Sequence, residues 1–222
     1  MAIDTGSDPM TAESSFSDVF ARALLGEPTS VVGLDGTPSP LPMASWLRPA
    51  DSADHRMLAL CEGPTIDIGC GPGRMTVALS ELGHLSLGID VVPEAVELTR
   101  RRGASALRRD VFDRLPSEGR WQSALLADGN VGIGGDPVAL LARVRELLDP
   151  RGRMVVELMG PGVRSSSGWG TLEGAAHRSR PFRWAVVGVD DVHTLASSAG
   201  LVVDAVHDVG GRWVAVLRED PT

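Results

Sequence analysis

Three glycines at alternating positions, directly after a short apolar strand, constrain the fold of this chain more than any other feature. The segment Thr65–Arg74 reads Thr-Ile-Asp-Ile-Gly-Cys-Gly-Pro-Gly-Arg. Because Gly69, Gly71 and Gly73 have no side chains, the backbone can turn sharply there and approach a ligand closely. The helix that follows directs free N–H groups and the positive end of its dipole at that ligand. The segment therefore predicts an α/β fold with a nucleotide-type site at the carboxyl end of a first strand.

The spacing of the glycines distinguishes between kinds of nucleotide. The dinucleotide pattern G-x-G-x-x-G needs a glycine where this chain has Arg74, and Pro72 lies inside the loop. The pattern D-x-G-x-G-x-G, which begins at Asp67, instead resembles motif I of the class I S-adenosylmethionine-dependent methyltransferases.

Three further segments follow the loop in the order of that family. Asp90 ends a second predicted strand, Leu85–Asp90, about 20 residues after the loop, where an acid can accept both ribose hydroxyl hydrogens. Asp110–Pro116 follows a third predicted strand, Ala106–Arg109, and resembles the family's D-x-x-x-x-L-P segment. Leu148–Gly152 resembles the family's L-x-P-G-G turn before the fifth strand, with arginine in place of one glycine.

This resemblance implies a cofactor, a fold and a set of binding residues. The cofactor is S-adenosyl-L-methionine, with its ribose held by Asp90 and its adenine amino group by Asp110. The fold is α/β, a three-layer sandwich with a seven-stranded, mostly parallel sheet in the order 3-2-1-4-5-7-6 and an antiparallel C-terminal hairpin. The cofactor-binding residues are expected to be Asp67, Gly69, Cys70, Gly71, Gly73, Arg74, Asp90, Val91, Asp110, Val111, Asp128 and Gly129.

Composition excludes several other classes of enzyme. The 222 residues include no Lys and no Tyr, so a Schiff-base enzyme and a P-loop NTPase are excluded, because both need the lysine amine. A net charge of −8 argues against a nucleic-acid partner, since such partners need a basic surface. No apolar run is long enough to span a membrane. The two cysteines form neither a disulfide framework nor a zinc spacing, so we expect no metal and a cytoplasmic location.

The chain is expected to divide into three parts. Residues 1–15 lack apolar patterning and are predicted to be disordered. Residues 16–62 are predicted to form a lid, with a helix from Phe16 to Leu25, a loop rich in Pro and Gly, and a helix capped by Asp51. Residues 63–222 are predicted to form the cofactor-binding domain.

Further elements of this last part follow from its apolar patterns. The predicted strands four and five are Ser123–Ala127 and Arg153–Leu158, and Asp136-Pro137 starts the helix between them. The last two apolar runs, Leu201–Val206 and Trp213–Leu217, are joined by a turn too short for a parallel crossover, so they must form an antiparallel pair.

Two segments are candidates for the acceptor side of the site. In Asp128–Asp136, Asn130 is a candidate for orienting a substrate, or the glycines there form a purely structural turn. In Gly160–Trp184, arginines and aromatic residues surround His177, a candidate general base. One interpretation is an Arg-rich flap over an anionic or aromatic small molecule. The other is a solvated basic loop whose tryptophans pack on the sheet edge.

The sequence thus predicts a methyltransferase that acts on a small-molecule acceptor, with an undetermined O-, N- or C-nucleophile and an undetermined oligomeric state. Two alternatives remain open at this stage. One is a non-catalytic S-adenosylmethionine-binding regulatory or accessory protein, and the other is an NAD-dependent oxidoreductase.

Overall fold

The computed structural model describes residues 12–33 and 37–220. Its strands are β1 (Ala12–Ser14), β2 (Ser30–Val32), β3 (Ser39–Pro40), β4 (Thr65–Ile68), β5 (Ser86–Asp90), β6 (Ala106–Arg108), β7 (Trp121–Leu126), β8 (Leu148–Leu158), β9 (Ser166–Glu173), β10 (His177–Ser179), β11 (Phe182–Val186), β12 (Leu201–Asp208) and β13 (Trp213–Glu219). Its α-helices are α1 (Phe16–Leu24), α2 (Met43–Leu47), α3 (Ser52–Leu58), α4 (Arg74–Glu81), α5 (Pro93–Arg101), α6 (Pro137–Leu147) and α7 (Val192–Ser198). Two short 3₁₀ turns, Asn130–Gly132 and Val189–Asp191, complete the described elements.

Seven strands form the main sheet, in the order β12-β13-β8-β7-β4-β5-β6. Pairing is parallel from β6 to β8 and antiparallel at β13, which pairs with both β8 and β12. Numbered along the chain, this order is 3-2-1-4-5-7-6. The predicted α/β fold class and the antiparallel C-terminal hairpin are therefore confirmed.

Side-chain alternation along the central strands divides the core between the two faces of this sheet. On β7, Ala124 and Leu126 pack against one face, whose cluster includes apolar residues of α6 and α7. Leu125 packs on the opposite face, with residues of α3 and α4. Since successive residues of a strand point to opposite faces, an apolar run such as that of β7 requires helices on both sides.

A second sheet was not predicted. β1, β10, β9, β2 and β3 pair in that order, and β11 pairs with the first half of β9. We call these six strands the covering sheet. The predicted loop at 26–50 thus contains β2, β3 and α2, and the predicted basic loop at 160–184 contains β9, β10 and most of β11. In the segment predicted to be disordered, residues 12–14 form β1, while residues 1–11 lie outside the described residues.

Most predicted bounds agree with the structure to within about two residues, and the start of the fifth strand differs by more. β8 begins at Leu148, so the predicted turn before strand five is part of an irregular strand with a bulge opposite β7. Among the described residues, no helix combines the length and the apolar character needed to cross a membrane.

Candidate functional site

The site lies where the strand order of the main sheet reverses. β4 pairs with β5 on one side and with β7 on the other, so the connections after these strands diverge and leave a crevice at their carboxyl ends. A cavity of about 790 Å³ occupies this position and is lined by residues of the main sheet, the covering sheet, α1 and α2.

Nearly all of the predicted cofactor residues meet at this cavity. Those that line it are Asp67, Gly69, Cys70, Gly71, Arg74, Asp90, Val91, Asp110, Val111, Asp128 and Gly129. Gly73 is the one member of the predicted set that does not line it. Asn130 also lines the cavity, whereas His177, on β10, is not among its described lining residues.

The three glycines of the loop have different surroundings. A Cβ placed on Gly71, at φ +52°, would meet no atom within 4 Å, so this backbone is open toward the cavity. A Cβ on Gly73 would lie 2.5 Å from Thr99 Oγ1, and one on Gly69 would lie 2.8 Å from Asn130 Nδ2. Gly71 is therefore the glycine whose backbone a ligand can approach, and the other two permit close packing within the protein.

The Asn130 side chain is bonded to the backbone at the start of the glycine loop. Its Nδ2 group donates to the carbonyl oxygens of Ile68 and Gly69, each at 2.9 Å. The side chain of Asn130 thus fixes the turn between β4 and the loop.

Asp90 links the loop to the end of β5. Its Oδ2 accepts from the Gly71 N–H at 2.9 Å and its Oδ1 accepts from the Val92 N–H at 2.9 Å. Burial raises the pKa of Asp90, while these backbone hydrogen bonds oppose the rise. Since an ionised carboxylate has about four acceptor positions, Asp90 retains capacity for two hydroxyl donors from a ligand.

Asp110 and Val111 form the neighbouring wall, beyond β6. Asp110 Oδ1 accepts from the Phe112 N–H at 3.0 Å, which shapes the turn, and its side chain is exposed. Val111 is buried, at 4% exposure, and lines the cavity beside the half-exposed Phe112 ring. An apolar surface next to an acceptor group suits a flat base with an amino group.

Asp67 is a buried acid at the base of the cavity. Its carboxylate is 2% exposed, and its Oδ2 accepts from Thr76 Oγ1 at 2.6 Å. Burial raises the pKa of Asp67 to about 7, although the hydrogen bond from Thr76 opposes the rise. Burial also raises the pKa of the Cys70 thiol well above its usual value, so Cys70 is not an activated nucleophile.

Arg74 belongs to a charged cluster that connects three parts of the chain. The cluster consists of Arg48, Asp54, Arg74, Asp128, Glu157 and Arg212. Arg74 is 5% exposed and pairs with Asp54 and with Asp128, whose oxygens lie 2.5 and 2.7 Å from its Nη2. Two carboxylates of the chain, those of Asp54 and Asp128, thus hold the Arg74 guanidinium.

Asp54 is the centre of this cluster and was not predicted as a site residue. It is fully buried on α3 and accepts from Arg48 at 2.7 Å, from Arg74 and from Arg212. Burial favours the neutral acid, yet hydrogen bonds from Arg74, from the Asp51 N–H and from Arg48 hold the pKa of Asp54 well below its usual range.

Glu157 and Arg212 were also missed. Arg212 donates to both Glu157 oxygens, at 2.6 and 2.7 Å, and Glu157 accepts from the Asp128 N–H at 2.6 Å. The position of Glu157 near the carboxyl end of a parallel strand was a signal that could have identified it. Asp128 has a φ of +53°, unusual for a residue other than glycine, and the cluster holds it in that conformation.

The far side of the cavity is aromatic. Five rings follow one another: Trp46, Phe20, Phe16, Phe182 and Trp184, with neighbouring centroids 5.0 to 6.4 Å apart. These rings come from α1, α2 and β11, and all five line the cavity. The lid segment predicted at 16–62 therefore contributes directly to the cavity wall.

Comparison with known proteins finds a family model whose match includes the glycine loop. Residues 66–152 match a family described as a methyltransferase domain. Trans-aconitate 2-methyltransferase of Rhodococcus jostii (strain RHA1) is 32% identical over 156 residues, which cover 63% of this chain and 56% of that protein. Ubiquinone biosynthesis O-methyltransferase of Cereibacter sphaeroides (strain ATCC 17025 / ATH 2.4.3) is 29% identical over 105 residues, 45% of this chain and 42% of that protein. The chain thus matches about half the length of these curated relatives.

Solved structures share the fold. A SAM-dependent methyltransferase from Bacteroides fragilis, in complex with S-adenosyl-L-homocysteine, has a TM-score of 0.75 at 18% identity and covers 91% of this chain and 93% of its own. The 1,6-didemethyltoxoflavin-N1-methyltransferase of Burkholderia thailandensis, with bound 1,6-didemethyltoxoflavin and S-adenosylhomocysteine, has a TM-score of 0.59 at 19% identity. The match covers 99% of this chain and 98% of that one.

Proposed function

We propose that this chain is a class I S-adenosylmethionine-dependent methyltransferase that transfers a methyl group from S-adenosyl-L-methionine to a small-molecule acceptor. The match of residues 66–152 to a methyltransferase domain supports this proposal. The relatives named above act on trans-aconitate and on ubiquinone precursors, and one solved neighbour binds a toxoflavin precursor. These names support a small-molecule acceptor. They do not determine whether its nucleophilic atom is oxygen, nitrogen or carbon.

One observation carries the proposal: an open backbone at Gly71 lies beside the Asp90 carboxylate on the wall of one cavity. The Gly71 N–H donates to Asp90, and the space where a Gly71 side chain would stand is free. A ligand with vicinal hydroxyls can thus bind Asp90 while it lies against bare backbone. These residues fit the nucleoside of S-adenosylmethionine.

The remaining predicted residues suit the two ends of the same ligand. Asp110 and Val111 would hold the adenine, through an acceptor and an apolar surface. Asp67, Asp128 and Glu157 make the opposite end of the cavity acidic, which complements a ligand that carries an ammonium and a sulfonium. Arg74 Nε is buried without a hydrogen-bond partner in the described chain, and would donate to a ligand carboxylate there.

When bound, S-adenosylmethionine supplies an electrophilic methyl group on a positively charged sulfur. We assign to this chain the orientation of the methyl donor and the acceptor. Holding two reactants in line can lower a reaction barrier by up to about 7–11 kcal/mol. Asn130 would act by fixing the loop that holds one reactant, because its amide nitrogen is bonded to Ile68 and Gly69. His177 is separated from the cavity wall, so we assign no proton transfer to it.

The covering sheet would act as the lid over the acceptor. It contacts the connection between β7 and α6 through an isolated bridge between Ile133 and Trp184 and through a hydrogen bond of 2.5 Å from Ser167 Oγ to the Gly135 carbonyl oxygen. With α1 and α2 it would exclude water from the methyl acceptor.

Thermal stability measured with and without ligands tests the proposal. S-adenosylhomocysteine at 100 times its dissociation constant should raise the free energy of unfolding by about 2.7 kcal/mol, and NAD at the same concentration should not. Stabilisation by NAD alone would exclude the proposed cofactor. Transfer of a labelled methyl group to fractions of a metabolite pool then separates an enzyme from a binding protein, for which no fraction would become labelled.

A further inference from the structure

The acceptor end of the cavity differs in chemistry from the cofactor end, and its walls indicate which acceptors fit. The chain has four Phe and five Trp and no Tyr. All four Phe and two of the Trp line this cavity, whereas the interior of the main sheet is filled by aliphatic residues with Trp121 as its fully packed aromatic residue. Aromatic residues are thus concentrated on the cavity wall rather than in the core of the main sheet.

The strand β11 brings two of these rings to the cavity. Phe182 and Trp184 lie on one face of β11, and their partners on β9 are Gly170 and Gly168. Because glycine has no side chain, these cross-strand positions leave room beside the two rings. Phe182 and Trp184 are half-buried, so part of each ring faces the space of the cavity.

The arginines that suggested an anionic acceptor are directed elsewhere. In the described chain, Arg183 is the one basic residue of the segment 160–184 that lines the cavity. Its guanidinium lies 5.6 Å from the ring centroid of Trp169, which is 60% exposed, and donates to Ser167 Oγ at 3.1 Å. Arg178 is exposed and pairs with Glu173 at 3.1 Å.

The other two arginines of the wall, Arg74 and Arg109, also have partners within the protein, and the free Nε of Arg74 is assigned above to the cofactor. Arg74 is paired with Asp54 and Asp128, and Arg109 donates to the Arg108 carbonyl oxygen at 3.0 Å beside Asp110. The described lining contains five carboxyl groups against three guanidinium groups. All five carboxyl groups belong to residues assigned above to the cofactor. An acceptor with several carboxylates would nevertheless enter a cavity whose described lining is acidic overall.

From these walls we infer that the acceptor is a planar aromatic or heteroaromatic compound without a carboxylate, bound against Phe182 and Trp184. This inference rests on the proposed function, because it assigns the acceptor end of the same cavity. It separates this chain from the trans-aconitate methyltransferase it resembles, whose named substrate is a tricarboxylate without a ring. Aromatic side chains bind flat π-systems in stacked or edge-to-face geometry, and this preference would select a planar ring over an acceptor without one.

A matched pair of ring compounds tests the inference in the presence of saturating S-adenosylhomocysteine. Titration calorimetry would compare 2-naphthol, 6-hydroxy-2-naphthoate and trans-aconitate. We expect 2-naphthol to bind at least about tenfold more tightly than its carboxylate, and trans-aconitate not to displace it. Equal or tighter binding of either anion overturns the inference.

Two variants identify the surface involved. Phe182→Leu keeps an apolar side chain but removes the ring, and it should weaken 2-naphthol binding by about fivefold to tenfold. Trp169→Leu removes a ring on the neighbouring strand that does not line the cavity, and it should leave 2-naphthol binding unchanged. An unaltered affinity in Phe182→Leu also overturns the inference.

Binding of S-adenosylhomocysteine itself is measured for each protein first. Its failure in the unaltered chain would count against the proposed function, and its retention in both variants shows that they are folded. A wrong acceptor class with an intact cofactor site is therefore distinguishable from a wrong function.

Discussion

At the scale of single residues, three glycines that look equivalent in the sequence have different roles in the structure. Gly71 and Gly73 both have positive φ angles, +52° and +89°. The Cβ of a substituted Gly71 would point into open space, and that of a substituted Gly73 would lie 2.5 Å from Thr99 Oγ1. Substitution at the first position should therefore affect binding, and at the second it should affect folding.

We predict that Gly71→Val lowers the affinity for S-adenosylhomocysteine by more than about tenfold, which corresponds to about 1.4 kcal/mol. Its left-handed backbone should cost about 1–2 kcal/mol of stability. Gly73→Ala should have a similar backbone cost, and overpacking against Thr99 should lower its stability by about a further 1–3 kcal/mol. Calorimetry and urea unfolding of both variants check the contrast. Normal affinity in Gly71→Val would show that no ligand approaches this backbone.

Asp90 provides a second test at this scale. Asp90→Ala should weaken S-adenosylhomocysteine binding by about 1–3 kcal/mol, because two ligand hydroxyls and the Gly71 N–H lose their acceptor. Asp110→Ala is the matched comparison, since its carboxylate is exposed and its loss should cost less. Unchanged affinity in Asp90→Ala would remove Asp90 from the site.

Asp67 predicts a dependence of stability on pH. Its folded pKa of about 7 lies above the unfolded value of about 3.9, so the folded state binds the proton more tightly. The stabilisation is complete below about pH 4 and is lost as pH rises to about 7, with a slope of at most about 1.4 kcal/mol per pH unit. Asp67→Asn, which can still accept from Thr76, should remove this slope. Urea unfolding without cofactor, repeated between pH 5 and 8, measures this slope for both proteins. If the free energies of unfolding of the two proteins changed with pH in parallel, the prediction would be wrong.

Single residues also show where sequence reasoning stops. Asp90 and Asp110 were predictable because each ends a predicted strand, and parallel strands end at one edge of a sheet. Asp54 gave no such signal. Its partners Arg74 and Arg212 lie 20 and 158 positions away in the chain, and only the folded structure brings them together.

At the scale of elements, α3 joins the lid segment to the cofactor loop. Its N-cap, Asp51, accepts from the Ala53 and Asp54 N–H groups at 2.8 and 2.9 Å, as the sequence predicted. Asp54 has a different role on the same helix, since its buried carboxylate accepts from three arginines.

We expect Asp54→Ala to lower the free energy of unfolding by about 3–5 kcal/mol, because the buried Arg74 loses an ion-pair partner and the partly exposed Arg48 and Arg212 lose the same acceptor. Asp51→Ala removes a cap from the same helix and should cost only about 1 kcal/mol. The first variant should also weaken S-adenosylhomocysteine binding, since Arg74 loses a partner, and the second should not. Chemical unfolding and calorimetry compare the two. Similar costs for both variants would mean that the cluster contributes no more than a helix cap.

The covering sheet escaped prediction for reasons that lie in its strands. β1, β2 and β3 are two or three residues long, too short for an alternating pattern. β9 reads Ser-Ser-Gly-Trp-Gly-Thr-Leu-Glu, with glycines that disfavour a strand, and its partner β2 precedes it by more than 130 residues. The strands of the main sheet were predictable because burial on both faces produces continuous apolar runs.

At the scale of the whole molecule, the two sheets differ in how deeply they are buried. The last four residues of β7 are buried, as are most residues of β8, with helices on both faces. The first four residues of β9 are exposed or half-buried, and the core cluster beneath the covering sheet is small, with Val19, Phe20, Ala21, Val92, Ala95 and Leu172 as its buried members. A segment with less buried apolar surface opens at a lower free energy than the rest of the fold.

We therefore predict that the backbone amides of β9 and β11 exchange with deuterium at least about tenfold faster than those of β7, a difference of about 1.4 kcal/mol or more in opening free energy. S-adenosylhomocysteine should slow exchange at residues 69–74 and 89–92, which surround Gly71 and Asp90, and change β9 and β11 little. Protection of β9 and β11 should follow only when an acceptor compound is added, because Phe182 and Trp184 line the acceptor end. Mass spectrometry of the exchanged peptides separates these responses. If S-adenosylhomocysteine alone protected β9 and β11 as strongly as the glycine loop, the covering sheet would belong to the cofactor site, and the division between cofactor and acceptor ends would be wrong.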